Sequence, residues 1–254
     1  MEMETRIVAV DNADIRGAVF VEASPTPGAA GIIALNYLVE TLNGSPVLEI
    51  ISPHFPQVSI IDEKGIASRP KVEVYLVQAG GRRLLFMSRT FPVESNEGSH
   101  EIARTLFRYL SSRNVGEYVV LASGRVTGDR SVLYSSNSSE GSKTLMAAGA
   151  KPSPSLDSLP VDRLTGFLMN FFARAGGKVS LLISDTSSYM PDHIAARRLL
   201  EVFSKTYGIE VDFGKLDAEI EKQRQLMREA EQMGLGTGGE ARNERYQREP
   251  FYIG

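Results

Sequence analysis

The sequence predicts an α/β protein with a mixed, mostly parallel sheet covered by helices on both faces. Three observations predict it. Short apolar runs rich in β-branched residues alternate with segments of helical periodicity. Several of those runs are apolar throughout, as strands buried on both faces require. The stretch before His100 is rich in strands and poor in helices, which places antiparallel pairs in the same sheet.

Taken in order, Ile7–Val10 and Ala18–Val21 are the first two strands, each bounded by polar turns. Ser24-Pro25-Thr26-Pro27-Gly28 breaks the chain. A helix is expected from Ala29 to Leu42, with Gly31, Leu35, Leu38 and Leu42 on one face and a left-handed stop at Asn43-Gly44. Strands follow at Val47–Ile51, Val58–Ile61, Val72–Gln78 and Leu84–Ser88. In the third of these, Val72, Val74 and Leu76 alternate with Glu73 and Tyr75, the mark of one wet face. His100–Arg113 is expected to be a helix packing through Ile102, Leu106 and Leu110, and Tyr118–Leu121 a buried strand. Ser135–Ser142 and Lys151–Pro160 have the composition of loops, and they bracket an ambiguous segment at Thr144–Ala150. Order returns with a helix at Val161–Ala173 and a strand at Val179–Ile183.

The last third is the most regular. Pro191 and Asp192 suit a first helical turn, Ala195, Leu199, Val202 and Phe203 form an apolar stripe, and Gly208 ends it. Asp212 is placed to cap a final helix from Lys215 to Met233, whose early acids and later arginines match the helix dipole. Its stripe is thin: Leu216, Ile220 and Met227. Such a helix buries a narrow seam, either on its own domain or against a partner or second copy. Gly234–Gly239 reads as a flexible linker leading to a charged stretch and then Phe251-Tyr252-Ile253-Gly254. The expected organisation is a core over 1–211, a helix over 212–233 and a flexible tail over 234–254. Three large apolar residues closing a polar tail call for a groove, on a partner or on the parent domain.

Bulk properties narrow the function. A formal net charge of -3 gives no basic field for phosphates, so nucleic acid is not an expected partner. The absence of Cys excludes disulfides, thiolate metal sites and a cysteine nucleophile. The start is acidic, without the basic and apolar regions of a signal peptide, and the apolar run Gly28–Val39 is too short to span a membrane, for which about 20 residues are needed. A cytoplasmic protein with no membrane partner is the expectation. No Walker loop and no G-x-S-x-G elbow occurs, and His54, His100 and His193 are too far apart for a paired metal motif. Glu40, Glu49 and Asp62 are scattered carboxylates. Pro27-Gly28-Ala29-Ala30-Gly31 offers backbone N–H groups that could take an anion, while close helix–sheet packing is the plainer role for Gly28 and Gly31. Neither a cofactor nor a catalytic residue is expected.

Several patterns in fixed order carry a resemblance. Pro27-Gly28-Ala29-Ala30-Gly31, Ala34-Leu35-Asn36-Tyr37-Leu38 and Ser52-Pro53-His54-Phe55-Pro56 come first. Leu164-Thr165-Gly166-Phe167-Leu168, Tyr189-Met190-Pro191-Asp192-His193 and Gly208-Ile209-Glu210-Val211-Asp212 follow. Together, over roughly Ala18 to Met233, the chain resembles the proteasome assembly chaperone family. Ala23 departs from the pattern, standing where that family tends to have glycine. The resemblance implies a three-layer α/β/α fold of phosphorylase-like architecture, homo-oligomers, and binding to proteasome α-subunits without ATP. It also implies a C-terminal hydrophobic-Tyr-any-residue motif, whose penultimate Tyr and carboxylate enter pockets between α-subunits. Phe251-Tyr252-Ile253 has that order, but Gly254 follows and displaces the carboxylate by up to about 3.5 Å. Two other readings stay open: a phosphorylase-like enzyme taking phosphate or a nucleoside at Gly28–Gly31, and a self-assembling scaffold unrelated to proteasomes.

Overall fold

The computed structural model describes residues 4–61, 64–155 and 161–232. In chain order its elements are β1 (Arg6–Ala9), β2 (Val19–Ala23), α1 (Ala30–Thr41), β3 (Ser45–Ile51), β4 (Ile60–Ile61), β5 (Ala67–Ser68), β6 (Val72–Ala79) and β7 (Arg82–Ser88). They continue with α2 (Asn96–Ser111), β8 (Glu117–Gly124), β9 (Val132–Ser136), α3 (Ser139–Ala147), β10 (Lys151–Pro152), α4 (Arg163–Arg174), β11 (Lys178–Asp185), α5 (His193–Tyr207) and α6 (Gly214–Gln232). One compact unit ends at Asp212, and α6 belongs to a second.

Nine strands form one mixed sheet in the order β1-β3-β6-β7-β2-β8-β11-β9-β10. Its parallel centre is β7-β2-β8-β11. The β1, β3, β6 and β7 pairings are antiparallel, as is β9 on β11. With β10 running parallel to β9 at the far edge, the sheet has four parallel and four antiparallel pairings, a larger antiparallel share than the sequence suggests. The unexpected antiparallel pairing is that of β9 with β11. β4 and β5 pair with each other in a separate hairpin.

Helices α2 and α4 cover one face and α1, α3 and α5 the other, giving three layers. On the α2/α4 face, Phe20 stacks on Tyr118 at 5.2 Å, Tyr118 lies 5.0 Å from Phe172, and Phe172 meets Phe107 edge-on at 5.1 Å. These rings are the centre of the core. Asp192 caps α5 by accepting from the Ala195 N–H at 2.8 Å, and Gly208 closes it in the left-handed conformation. Gly208 ends the helix where the sequence puts it, whereas the helix begins at His193, so Asp192 is its cap and Pro191 lies just before it rather than in the first turn.

The region between β8 and α4 differs from expectation. Ser135–Ser142 is not a single loop: β9 ends at Ser136 and α3 begins at Ser139, capped by the Ser138 hydroxyl. The alternation that signals a strand is hidden because Ser135 and Ser136 are its final, half-buried residues. In α3 only Leu145 is buried, so no apolar stripe announces the helix.

At the sheet edge the Thr5 N–H donates to Glu101 Oε1 at 2.9 Å, and His54 Nε2 lies 3.0 Å from Oε2. Hydrogen bonds from Thr5, and beyond them His54, lower the Glu101 carboxyl to about 2, although partial burial acts the other way. A carboxyl depressed on folding stabilises the protein above its unfolded value of about 4.3 and loses that contribution as pH falls. Between roughly pH 4.5 and 2, the native protein is expected to lose more stability than Glu101→Gln, read as the drop in urea midpoint. Equal losses would remove Glu101 from the acid response.

Candidate functional site

In a sheet with a parallel centre, ligands are received beyond the carboxyl ends of the parallel strands. Here that place lies at the ends of β2, β8 and β11, where the turn Pro27–Ala29 enters α1. Gly28 (φ 77) and Ala29 (φ 48) are both left-handed, and α1 has no side-chain cap of its own. A neighbouring strand supplies the cap: Ser123 Oγ accepts from the Ala30 N–H at 3.1 Å and donates to the Pro27 carbonyl at 2.7 Å. Thr26 Oγ1 accepts from the Ser123 N–H at 2.9 Å. A Cβ at Gly31 would overlap the Leu121 carbonyl oxygen, and one at Gly28 would crowd Thr186, Ser188 and Asp192. Both glycines thus serve close packing, and one of the first helical N–H groups is already bonded to protein.

The loop leaving β11 closes over this turn. The Asp192 N–H donates to the Gly28 carbonyl at 2.8 Å, Thr186 Oγ1 donates to Asp192 Oδ2 at 2.6 Å, and Ser188 Oγ donates to the Met190 carbonyl at 2.8 Å. Held by these bonds, Tyr189 and Met190 point outward at 89% and 70% exposure. Aromatic and Met side chains fixed on a firm base are the residue types enriched at protein–protein contacts.

Beneath the α2/α4 face lies a buried ionic junction. Glu22 on β2 is fully buried and Arg89, just past β7, is 3% exposed. Arg89 donates to Glu22 Oε1 from Nη2 at 3.1 Å and clamps Asp162 bidentately at 2.7 and 2.5 Å. Asp162 caps α4 by accepting from the Thr165 N–H at 3.2 Å. The Thr165 hydroxyl bonds to Asp162, Glu22 and Ser24, and the Tyr118 hydroxyl donates to Glu22. Burial pushes Glu22 up, with Arg89 opposing it. Burial also acts to raise Asp162, but Arg89 and Thr165 outweigh it and its carboxyl sits below the usual range. Glu22 and Arg89 are sealed from solvent, so this cluster joins β2, β7 and α4 and offers no reacting group to a substrate. One signal for it was in the sequence: a lone Glu inside the apolar strand Val19–Ala23 demands a buried partner.

Of the residues singled out from the sequence, Leu216 and Ile220 lie on α6 and are buried. The side chain of Met227 lies outside the described residues, as do Phe251, Tyr252, Ile253 and Gly254. Gly28 and Gly31 sit together at the α1 turn. His54 pairs with Glu101, and His100 rests edge-on against Phe167 and Phe171. Among the described residues no three His, Cys, Asp or Glu side chains are grouped to hold a metal, and no helix is long and apolar enough to cross a membrane.

Residues 20–231 match the model of the PAC2 family. Among solved structures, Pyrococcus furiosus PbaA, described as an archaeal homolog of proteasome-assembly chaperone, is 28% identical. That alignment covers 91% of this chain and 98% of PbaA, with a TM-score of 0.70. Pyrococcus furiosus PbaB, described as an archaeal proteasome activator, aligns at 21% identity over 90% of this chain and 99% of its own, with a TM-score of 0.80. A Mycobacterium tuberculosis proteasome-assembly chaperone homologue aligns at 18% identity over 83% and 94%, with a TM-score of 0.64. The last two likenesses are of fold. No curated protein sequence matches the chain.

Proposed function

Because this chain belongs to the PAC2 family, we propose that it is an ATP-independent proteasome assembly chaperone or activator-like protein. It binds α-subunits of the proteasome core particle, works as a cytoplasmic homo-oligomer and is not an enzyme. The observation that carries this reading is the 28% identity to PbaA along nearly the whole of both chains. Two features of the fold support it. The carboxyl ends of the parallel strands are filled by the protein's own hydroxyls and loops, and the loop over them presents Tyr189 and Met190 to solvent. The C-terminal Phe251-Tyr252-Ile253-Gly254 is assigned as a second contact with α-subunits. Several tails on one oligomer would sum modest contacts into useful avidity.

Native mass spectrometry of the full chain, mixed with α-subunits and with assembled core particles, is the test. A complex with either is expected. Deleting Phe251–Gly254 should weaken that complex at least about tenfold with an unchanged circular dichroism spectrum, a loss of about 1.4 kcal/mol. No complex with subunits or particles would overturn the reading. Unchanged affinity of the truncated chain would remove the tail from it.

A further inference from the structure

β1 is the outer strand of the nine-stranded sheet and pairs only with β3. The Val10 N–H donates inward to the Val47 carbonyl at 2.9 Å, which fixes the alternation along the strand. Arg6, Val8 and Val10 turn their backbone groups toward β3, and Ile7 and Ala9 turn theirs away. The Thr5 N–H also faces outward and is taken by Glu101. Among the described residues no hydrogen bond reaches the outward N–H and C=O groups of Ile7 and Ala9. Native edges are blunted by shortness, by charged side chains, by Pro or by a bulge. This one, Arg-Ile-Val-Ala, is short and carries one charge at its end, Arg6, but has neither Pro nor a bulge along Ile7–Ala9.

Its side chains divide by face. Ile7 packs against the α2/α4 core, whereas Val8 and Val10 lie on the opposite face at 42% and 50% exposure. A hollow of ≈ 260 Å³ beside the strand is lined by Arg6, Ile51, Val58 and Arg69 among others, and Val58 there is 58% exposed. The open edge is therefore continuous with further apolar surface at the base of the β4–β5 hairpin.

We propose that β1 is a self-association edge: two copies of this chain pair β1 with β1 antiparallel across a two-fold axis at Val8, making one continuous sheet. The pattern is self-complementary. Ile7 and Ala9 stand equally far from Val8, so Ile7 of one copy meets Ala9 of the other, and the outward groups of both form four backbone hydrogen bonds. Val8 then faces its own counterpart across a non-hydrogen-bonded pair, with Cα atoms about 4.5 Å apart. Arg6 falls opposite the partner's Val10, so its aliphatic stem covers an exposed valine. The two Arg6 side chains start about 14 Å apart along the strands, and like charges do not oppose one another. A second copy is the occupant because this strand is its own match in length, polarity and charge, as an isologous interface requires. The contact concerns how copies meet, not what the assembly binds, and it stands whether or not the proteasome reading does.

The chain contains no Cys, so single cysteines report on it cleanly. Val8→Cys, in the full chain at low micromolar concentration under mild oxidation, is expected to give a disulfide-linked dimer. Val10→Cys, about 14 Å from its counterpart in this arrangement, is expected to cross-link at least tenfold more slowly. Adding Ala9→Pro, which removes an outward donor and leaves the β3 pairing intact, should abolish the Val8→Cys cross-link while circular dichroism stays native. Cross-linking of Val8→Cys no faster than Val10→Cys would overturn the proposal, whatever the proline variant does.

Discussion

Arg89→Ala is expected to destabilise the protein by about 3–5 kcal/mol, read as a shift of the urea midpoint at unchanged slope. The cation is 3% exposed and bonds two carboxylates, Glu22 fully buried and Asp162 mostly so. Removing it leaves Glu22 to be protonated or unpaired in a fully buried place beside Tyr118 and Thr165, and leaves the α4 cap without its clamp. The cost is that of an orphaned charge, not the worth of the ion pair. Arg89→Met combined with Glu22→Gln and Asp162→Asn should therefore lose less than Arg89→Ala alone, since no uncompensated charge remains. A single-variant cost below about 1 kcal/mol would show that water or rearrangement satisfies the site.

Gly31→Ala is the second large effect, expected at about 2–3 kcal/mol or more from overpacking. The added carbon would overlap the Leu121 carbonyl, which cannot retreat because it accepts from the Ser24 N–H at 3.0 Å at the crowded centre of the sheet. Gly166, inside α4 with nothing within 4 Å of an added Cβ, is the control. Gly166→Ala should stabilise by up to about 1 kcal/mol through helix propensity alone. If both substitutions stabilise, α1 is not seated on β8 as closely as described.

The sequence and the structure agree best where burial is symmetrical. Runs such as Ala18–Val21 and Tyr118–Leu121 are apolar on both faces and announce themselves, as do helices with a broad stripe such as α5. β9 and α3 were not legible because each lies toward one edge of the sheet and buries little: a strand ending in serines and a helix with one buried leucine leave no period to count. The glycines of the α1 turn were legible as a close approach. The Ser123 cap was not, since Ser123 is far from Ala30 in sequence and only the strand order brings them together. The junction of Glu22, Arg89 and Asp162 was missed, since the expected strand stopped at Val21, one residue short of Glu22. Its members are separated by 67 and 73 residues, so each looked like an isolated charge, but a glutamate in a doubly buried strand cannot be solitary.

The place of β2 in the sheet bears on how the chain is made. β2 leaves the ribosome well before its partners: Val19 sits beside Leu84 on one side and Glu117 on the other. At about 5–20 residues per second of synthesis, several seconds pass before both neighbours exist. During that interval the most apolar early segment has neither flank covered, and the closures that finally enclose it span long loops, which slows folding. Refolding from denaturant should accordingly be slow for a protein of this size, and nascent chains stopped before Gly124 should bind general holdases until the remaining strands emerge.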